Sequence, residues 1–384
     1  MARQLEQENN QLKTDNEELK EKILILQKNL SELQEEIASF RKESQRNAGE
    51  LQKTQQQLLR ETEAEKNNLS EIKIALDRQN YLYNNEYERR VISSFYEYFD
   101  RSDFKERFMN LVQGMEAEDV ALIVKILQRQ HLAKETAGKK ADLFSMEEQR
   151  QILEMKRELT SEVLKVSEDM YCYKNYFLPV NHFEASVFCY HHGIDCIEKI
   201  REKDVLDVGG FIGDSVLVLK PLTERRIITF EAVEKHYNLI KKTVELNNLD
   251  NVIIERMALG DHEGEIKIDI AGSSSSVNLN QTIQSRGSEV VPVLTLDTYI
   301  ESHPADVGLI KVDIEGAEQS FLRGARKTIE KYKPVLLLSI YHNADDFFNI
   351  KPMIESWNLG YKFRIHKPID YSVSREVLLI AEIR

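Results

Sequence analysis

Two stretches in the C-terminal half carry side chains that could do chemistry. The first is Asp207-Val208-Gly209-Gly210-Phe211-Ile212-Gly213-Asp214-Ser215, which follows an apolar run and opens a helical pattern. Gly209 and Gly210 permit a tight turn and close approach of a ligand to the backbone, and Gly213 permits a close helix start. The glycines stand together at the front, unlike the G-x-G-x-x-G of dinucleotide loops. Asp207 is expected beside the ligand, where its carboxylate would repel a pyrophosphate and suit a cationic amino-acid group. Glu231 ends the next strand, ITFE, 24 residues after Asp207. An acid there can accept hydrogen bonds from both hydroxyls of a ribose.

The second stretch is Lys311-Val312-Asp313-Ile314-Glu315-Gly316-Ala317-Glu318. Three acids gather at one strand end, and a purely structural account gives no reason for such crowding of like charges. S-adenosylmethionine carries an ammonium and a sulfonium, so it matches an acidic loop better than NAD does. Groups facing a methyl donor and a hydroxyl acceptor would explain the second cluster. His342 and Asp313 are the candidate bases, since a hydroxyl is a poor nucleophile while protonated. Glu315 and Glu318 could orient the acceptor or pair with Lys311 and Arg323. Asp313 and Glu315 could also hold a divalent ion, but no third ligand follows at fixed spacing, and no metal is expected.

These residues need a scaffold. From Lys203 onward, apolar runs alternate with helical patterns: Asp204–Val208, Ile227–Glu231, Val252–Met257, Ile266–Ile270, Leu309–Val312, Val335–Tyr341, Tyr361–His366 and Glu376–Glu382. That rhythm predicts βαβ units, a mostly parallel sheet with helices on both faces, and a ligand at the carboxyl ends of the strands. The Ser273–Ser276 run reads as a hydroxyl-rich loop suited to a sugar, or as a solvent loop.

Residues 1–79 read as a coiled coil. Leu5, Leu12, Leu19, Leu26, Leu33 and Phe40 recur every seventh residue, with Asn9, Asn16, Ile23, Leu30 and Ile37 at the other seam position. Glu8 with Lys13, Asp15 with Lys20, and Glu36 with Arg41 are opposite in sign in a parallel pair. Buried Asn9 and Asn16 favour the same register. A parallel homodimer through residues 5–40 is expected, with a trimer or a protein partner on the coil as alternatives. The heptads weaken after Phe40, and a stutter or break is expected before Leu69.

Residues 80–202 read as a helical middle section that caps the last domain, with helices to Tyr171, a solvated loop at 137–140, and core aromatics. Nothing in it carries recognisable chemistry.

Composition limits the partners. The 384 residues hold 65 acids and 52 bases, a net charge of -13, which argues against a nucleic-acid groove. Cys172, Cys189 and Cys196 are too few for a disulfide framework and point to a reducing, cytoplasmic setting. Cys189, His191, His192 and Cys196 lack paired metal spacing and read as a buried face. MARQLEQENN has no apolar signal core, and no apolar run approaches a bilayer span, so no direct membrane insertion is expected.

From about Lys203 to Ile365 the chain resembles the FkbM family of class I S-adenosylmethionine-dependent methyltransferases. The resemblance rests on DVGGFIGDS, ITFEAVEKHYNLIKKTVELNN, the MALGD turn at Met257–Asp261, VPVLTLDTYI and IKVDIEGAEQSFLRGA. It implies a Rossmann-like, mostly parallel seven-stranded sheet ending in an antiparallel hairpin, and O-methylation of a sugar, polysaccharide or related metabolite. The implied cofactor residues are Asp207, Gly209, Gly210, Phe211, Gly213, Asp214, Ser215, Glu231, Ala232, Met257, Ala258 and Asp313. The implied catalytic residues are His342, Asp313, Lys311 and Glu315. Two departures stand out. Ala232 replaces the family's Pro after the ribose acid, and Ser339 or Ile340 stands where an acid is expected before His342. A non-catalytic scaffold with a degenerate methyltransferase domain is the competing expectation. A nicotinamide oxidoreductase is disfavoured by Asp207.

Overall fold

The computed structural model describes residues 2–80, 86–135, 143–194, 200–271, 274–276, 287–370 and 372–383. The chain forms two compact units, 1–76 and 77–384.

Helix α1 (Ala2–Asn80) runs unbroken for 79 residues, so of the stutter or break expected before Leu69 a break in the helix is excluded, while a stutter leaves a helix continuous. Its sequence has no proline, and its lone Gly49 costs only about 1 kcal/mol in a helix. Side chains are described for most of the stretch from Glu17 to Glu63. There the seam residues Leu19, Leu26, Leu30, Leu33, Ile37 and Phe40 are all exposed in the single chain. Glu8, Asn9, Lys13, Asp15 and Asn16 lie outside the described side chains.

The second unit begins with α2 (Glu86–Phe99), α3 (Phe104–Val112), α4 (Ala117–Glu135) and α5 (Met146–Glu162). Ser145 caps α5 in a reciprocal box with Glu148. The expected helix to Tyr171 stops at Glu162. Strands β1 (Leu164–Ser167), β2 (Met170–Tyr173) and β3 (Tyr176–Leu178) follow as an antiparallel sheet. Tyr173 pairs with Tyr176 across Lys174-Asn175, and Lys174 takes a positive φ of 53°. A two-residue turn of that kind makes a hairpin rather than a helix.

Then come α6 (Ala185–Phe188), β4 (Asp204–Val208), α7 (Asp214–Leu219), β5 (Ile227–Phe230), α8 (Glu234–Leu246) and β6 (Val252–Glu255). Next are β7 (Ala258–Leu259), β8 (Gly264–Ala271), β9 (Ser274–Ser276), β10 (Ser288–Leu294) and α9 (Leu296–Ser302). The chain closes with β11 (Val307–Val312), α10 (Glu318–Gly324), α11 (Arg326–Tyr332), β12 (Val335–Ser339), α12 (Ala344–Glu355), β13 (Lys362–His366) and β14 (Leu378–Glu382).

The central sheet has seven strands in the order β13-β14-β12-β11-β4-β5-β6. β14 runs antiparallel to both β12 and β13, and the other pairings are parallel. Every residue of β4, β11 and β12 is buried, as strands covered on both faces require. A second sheet, β7-β10-β8-β9, lies apart from it in pairing. Ser274–Ser276 is therefore an edge strand rather than a loop, while 272–273 and 277–286 lie outside the described residues.

The helical middle is part of the same core. Val91, Phe95, Tyr98, Leu111 and Ile126 share one apolar cluster with Leu206, Ile310 and Phe347. Phe95 meets Phe347 edge-on at 5.3 Å, and Tyr98 stacks on Phe348 at 5.1 Å. Burying such side chains contributes roughly 1.5–3 kcal/mol each, so these aromatics serve as core. Cys172 and Cys189 are free thiols, and Cys189 lies 3.9 Å from the Tyr173 hydroxyl. Burial pushes His192 down to about 3, which keeps it neutral. Cys196 and the loop expected at 137–140 lie outside the described residues.

Candidate active site

β4 and β11 are neighbours where the strand order reverses, the place where open parallel sheets bind ligands. Their register sets Asp207 opposite Lys311, and β5 sets Thr229 opposite Asp207. Thr229 Oγ1 donates to Asp207 Oδ2 at 3.0 Å, and Lys311 Nζ stands 3.1 Å from Asp207 Oδ1. Lys311 also donates to the Gly209 carbonyl at 3.1 Å. Asp207 is wholly buried and Lys311 nearly so. Burial alone would depress the lysine, but Asp207, Asp313 and Asp214 outweigh it and raise its pKa.

Asp207 and Lys311, expected at the ligand and at the reacting groups, are both buried beneath the loop, where the lysine is the counter-ion that a buried acid needs. Asp207 Oδ2 accepts from Thr229, while Oδ1 has no aligned hydrogen-bond partner among the described residues.

The glycine loop contributes space rather than donors. The amides of Gly209 and Gly210 both donate to the Phe230 carbonyl at 3.0 Å. A Cβ on Gly209 would lie 1.9 Å from the Asp313 carbonyl oxygen, and one on Gly210 2.1 Å from Thr229 Oγ1. The Phe211 ring sits between His182 at 5.1 Å and His236 at 4.8 Å. Gly213 opens α7, whose first residues Asp214 and Ser215 are buried. Burial pushes Asp214 up to about 6.

Glu231 follows β5 directly. Its Oε2 accepts from the Phe211 amide at 2.9 Å and its Oε1 from the Val233 amide at 2.8 Å. Each oxygen keeps a lone pair for a further donor. Ala232 in place of Pro leaves the carboxylate held. Burial raises Glu231 to about 7 despite the two amides. Met257 and Ala258 are half-buried, and Ala258 pairs with Val293 in the second sheet, so the strand expected over Val252–Met257 ends at Glu255.

The second cluster converges on His342. The Asp313 amide donates to the Val208 carbonyl at 2.9 Å. Glu315 and Gly316 then take positive φ values of 56° and 99°. This turn brings Asp313 Oδ1 to 3.2 Å and Glu315 Oε2 to 3.9 Å from His342 Nε2. Glu318 Oε1 lies 3.0 Å from Nδ1 and also accepts from the Ile314 amide at 2.9 Å. Ser339, at the place of the acid expected before His342, is buried in β12. Arg323 pairs with Asp261 at 2.8 Å, not with Glu318.

Charge follows geometry. Burial would lower His342, but Glu318, Asp313 and Glu315 hold it well above its ordinary value. Asp313 is held down to about 2, its burial outweighed by His342 and Lys311. An imidazolium donates protons and cannot accept one, so the expectation of His342 as general base meets a cation. Asp313 and Glu315 keep solvent access, with side chains 30% and 20% exposed.

Sequence reasoning missed the facing wall. His182 Nε2 lies 3.2 Å from Glu184 Oε1, and Arg375 lies 3.9 Å from the same oxygen. His182 and Arg375 lower Glu184 against its burial, while Asp313 acts on it in the opposite sense. Glu376 is raised by burial and by Glu184. The visible signal was the charged pair Arg375-Glu376 just before an apolar strand.

The chain is similar in sequence to known methyltransferases. Residues 207–363 match the family model described as the methyltransferase FkbM domain. "Methyltransferase 1" of Beauveria bassiana (strain ARSEF 2860) is 24% identical, over 43% of this chain and 74% of its own length. Among solved structures, the methyltransferase FkbM from Methylobacillus flagellatus KT aligns with 72% of this chain at 18% identity and a TM-score of 0.45. The chain spans 58% of that protein's length. Trm5b from Pyrococcus abyssi aligns with 55% of this chain and 54% of its own, at 12% identity and a TM-score of 0.33. The C-terminal part of the chain is therefore a methyltransferase domain with a Rossmann-like sheet. Within it, residues 207–363 carry the match to the methyltransferase FkbM domain. Among the described residues, no helix is long and apolar enough to cross a membrane.

Proposed function

We propose that this domain transfers the methyl group of S-adenosylmethionine to a hydroxyl oxygen of a sugar, polysaccharide or related metabolite. The observation that carries the reading is the contact of the Gly209 turn with Asp313. That loop also holds Glu231, through the Phe211 amide, so Glu231 and the partly open carboxylate of Asp313 share the carboxyl ends of neighbouring strands. Donor and acceptor can then meet there, and positioning is most of what a sulfonium donor needs.

The acceptor oxygen attacks the methyl carbon, the C–S bond breaks, and S-adenosylhomocysteine leaves as a neutral thioether. The oxygen then carries both methyl and proton and is far more acidic than a carboxylic acid. A carboxylate held as low as Asp313 can take that late proton. Glu231 accepts from the ribose hydroxyls. His342 holds Asp313 in place.

We also propose that α1 pairs two chains in parallel through residues 5–40. The exposed apolar seam and the opposite charges of Glu36 and Arg41 support this. Sedimentation of the full chain, and oxidation of a Leu5→Cys variant, test it. A monomer, or a thiol that fails to crosslink to its copy, rules it out.

Calorimetric titration with S-adenosylmethionine tests the catalytic reading, with Glu231→Ala as control, followed by labelled methyl transfer to sugar hydroxyls. A full chain that binds no S-adenosylmethionine would leave the scaffold reading in its place.

A further inference from the structure

Asp313, Glu315 and Glu318 surround one imidazole, with contacts between 3.0 and 3.9 Å. Donor atoms of Asp313, Glu318 and His342 all lie within 4.8 Å of one another. Three carboxylates against a single imidazolium leave a net negative charge in a largely buried place. Lys311 does not cancel it, being shared with Asp207.

A second observation points the same way. Neither ring nitrogen of His342 has a partner in hydrogen-bond alignment, although the side chain is only 3% exposed. Buried polar groups nearly always find aligned partners. The contacts of this ring are ionic in distance but not directed as N–H bonds.

We infer that His342 Nε2, Asp313 and Glu315 form a binding site for one divalent first-row metal ion, with Glu318 orienting the ring. Two ligands at about 2.1 Å from an ion stand about 3.0 Å apart at right angles and about 3.4 Å apart in a tetrahedron. The Nε2 to Asp313 distance of 3.2 Å falls between these values. Glu315 Oε2, at 3.9 Å, stands farther from Nε2 and would have to move closer to reach an ion there. Glu318 Oε1, 3.0 Å from Nδ1, stands on the far side of the ring, where a carboxylate could turn into line with Nδ1–H once Nε2 is bound to an ion. It is wholly buried, whereas Asp313 and Glu315 reach solvent, so open coordination positions face outward.

One imidazole nitrogen with two carboxylates suits Mn²⁺, Fe²⁺ or Zn²⁺ better than the all-oxygen shells of Mg²⁺ or Ca²⁺. The open positions would take hydroxyl oxygens of the acceptor. That last role rests on the methyltransferase reading, but the binding itself does not.

The test is a Mn²⁺ titration of the full chain without S-adenosylmethionine, following loss of the free-ion electron paramagnetic resonance signal. One ion per chain with micromolar affinity is expected. Asp313→Asn and Glu315→Gln should each weaken binding by about tenfold or more, and Glu318→Gln by about tenfold. Glu330→Gln, an exposed residue of α11, should leave it unchanged. Circular dichroism melts show that each variant is folded. No uptake at millimolar Mn²⁺, or equal affinity in folded Asp313→Asn and Glu315→Gln variants, overturns the site. A parallel S-adenosylmethionine titration separates the two ideas: Mn²⁺ uptake without cofactor binding keeps the metal site and removes the methyltransferase reading.

Discussion

Lys311 stands in register with Asp207 across β4 and β11, its Nζ 3.1 Å from the Asp207 carboxylate, and both side chains are closed to water. The pair supports the loop from below, and Lys311 ties it further through the Gly209 carbonyl. Removing one partner strands a buried charge, which typically costs about 3–5 kcal/mol. Lys311→Met should therefore lower unfolding stability by about that much in urea titrations. Lys311→Met combined with Asp207→Leu should recover a substantial part of the loss. A loss below about 1 kcal/mol in the single variant would contradict the pairing.

Glu231 gives a pH prediction. Its pKa is raised to about 7 in the free protein. Ribose hydroxyls donate to the ionised carboxylate, so binding must release the proton. Affinity for S-adenosylmethionine should then rise with pH, by about tenfold between pH 6 and pH 8. The sign for folding is opposite: a raised carboxyl contributes stability below its unfolded value, and this is lost as pH rises through about 7. Calorimetry at three pH values checks the binding trend. Glu231→Gln should flatten it and weaken binding at pH 8.

Asp313 should matter for turnover more than for cofactor affinity. Asp313→Asn keeps the shape and removes the proton acceptor, and a loss of about 10²–10⁴ in kcat is expected. S-adenosylmethionine affinity should stay within a few-fold of the parent protein. Equal losses in kcat and in cofactor affinity would place Asp313 in cofactor binding instead.

The seam of α1 can be broken without touching the methyltransferase domain. Leu33 and Ile37 are exposed in the single chain. Leu33→Lys with Ile37→Lys should turn a sedimenting dimer into monomer, because charges at both seam positions face their copies. Methyl transfer per chain should survive if each domain is complete in itself.

Much of the sheet was legible because β4, β11 and β12 are apolar runs whose length and spacing leave few alternatives. The terminal antiparallel hairpin came from the family resemblance, since KFRIH is not an apolar run. What could not be read was register and reach. Asp207 and Lys311 are 104 positions apart in the chain, so only the pairing of β4 with β11 reveals that they neutralise each other. Glu318 and His342 come from different strand ends, so their 3.0 Å contact could not be read from the sequence either. The β1–β3 sheet was hidden because LKVSEDMYCYKNYFL mixes polar and aromatic residues without clean alternation, and its hairpin turn at Lys174-Asn175 carries no glycine. His182, Glu184 and Arg375 come from segments that lie far apart in the chain and meet only in the fold.

The 1.9 Å that would separate a Cβ on Gly209 from the Asp313 carbonyl oxygen means that the two loops touch backbone to backbone. Any side chain at position 209 would have to part the two strand-end loops before it could be housed, so the residue is dictated by its neighbour across the sheet as much as by its own turn.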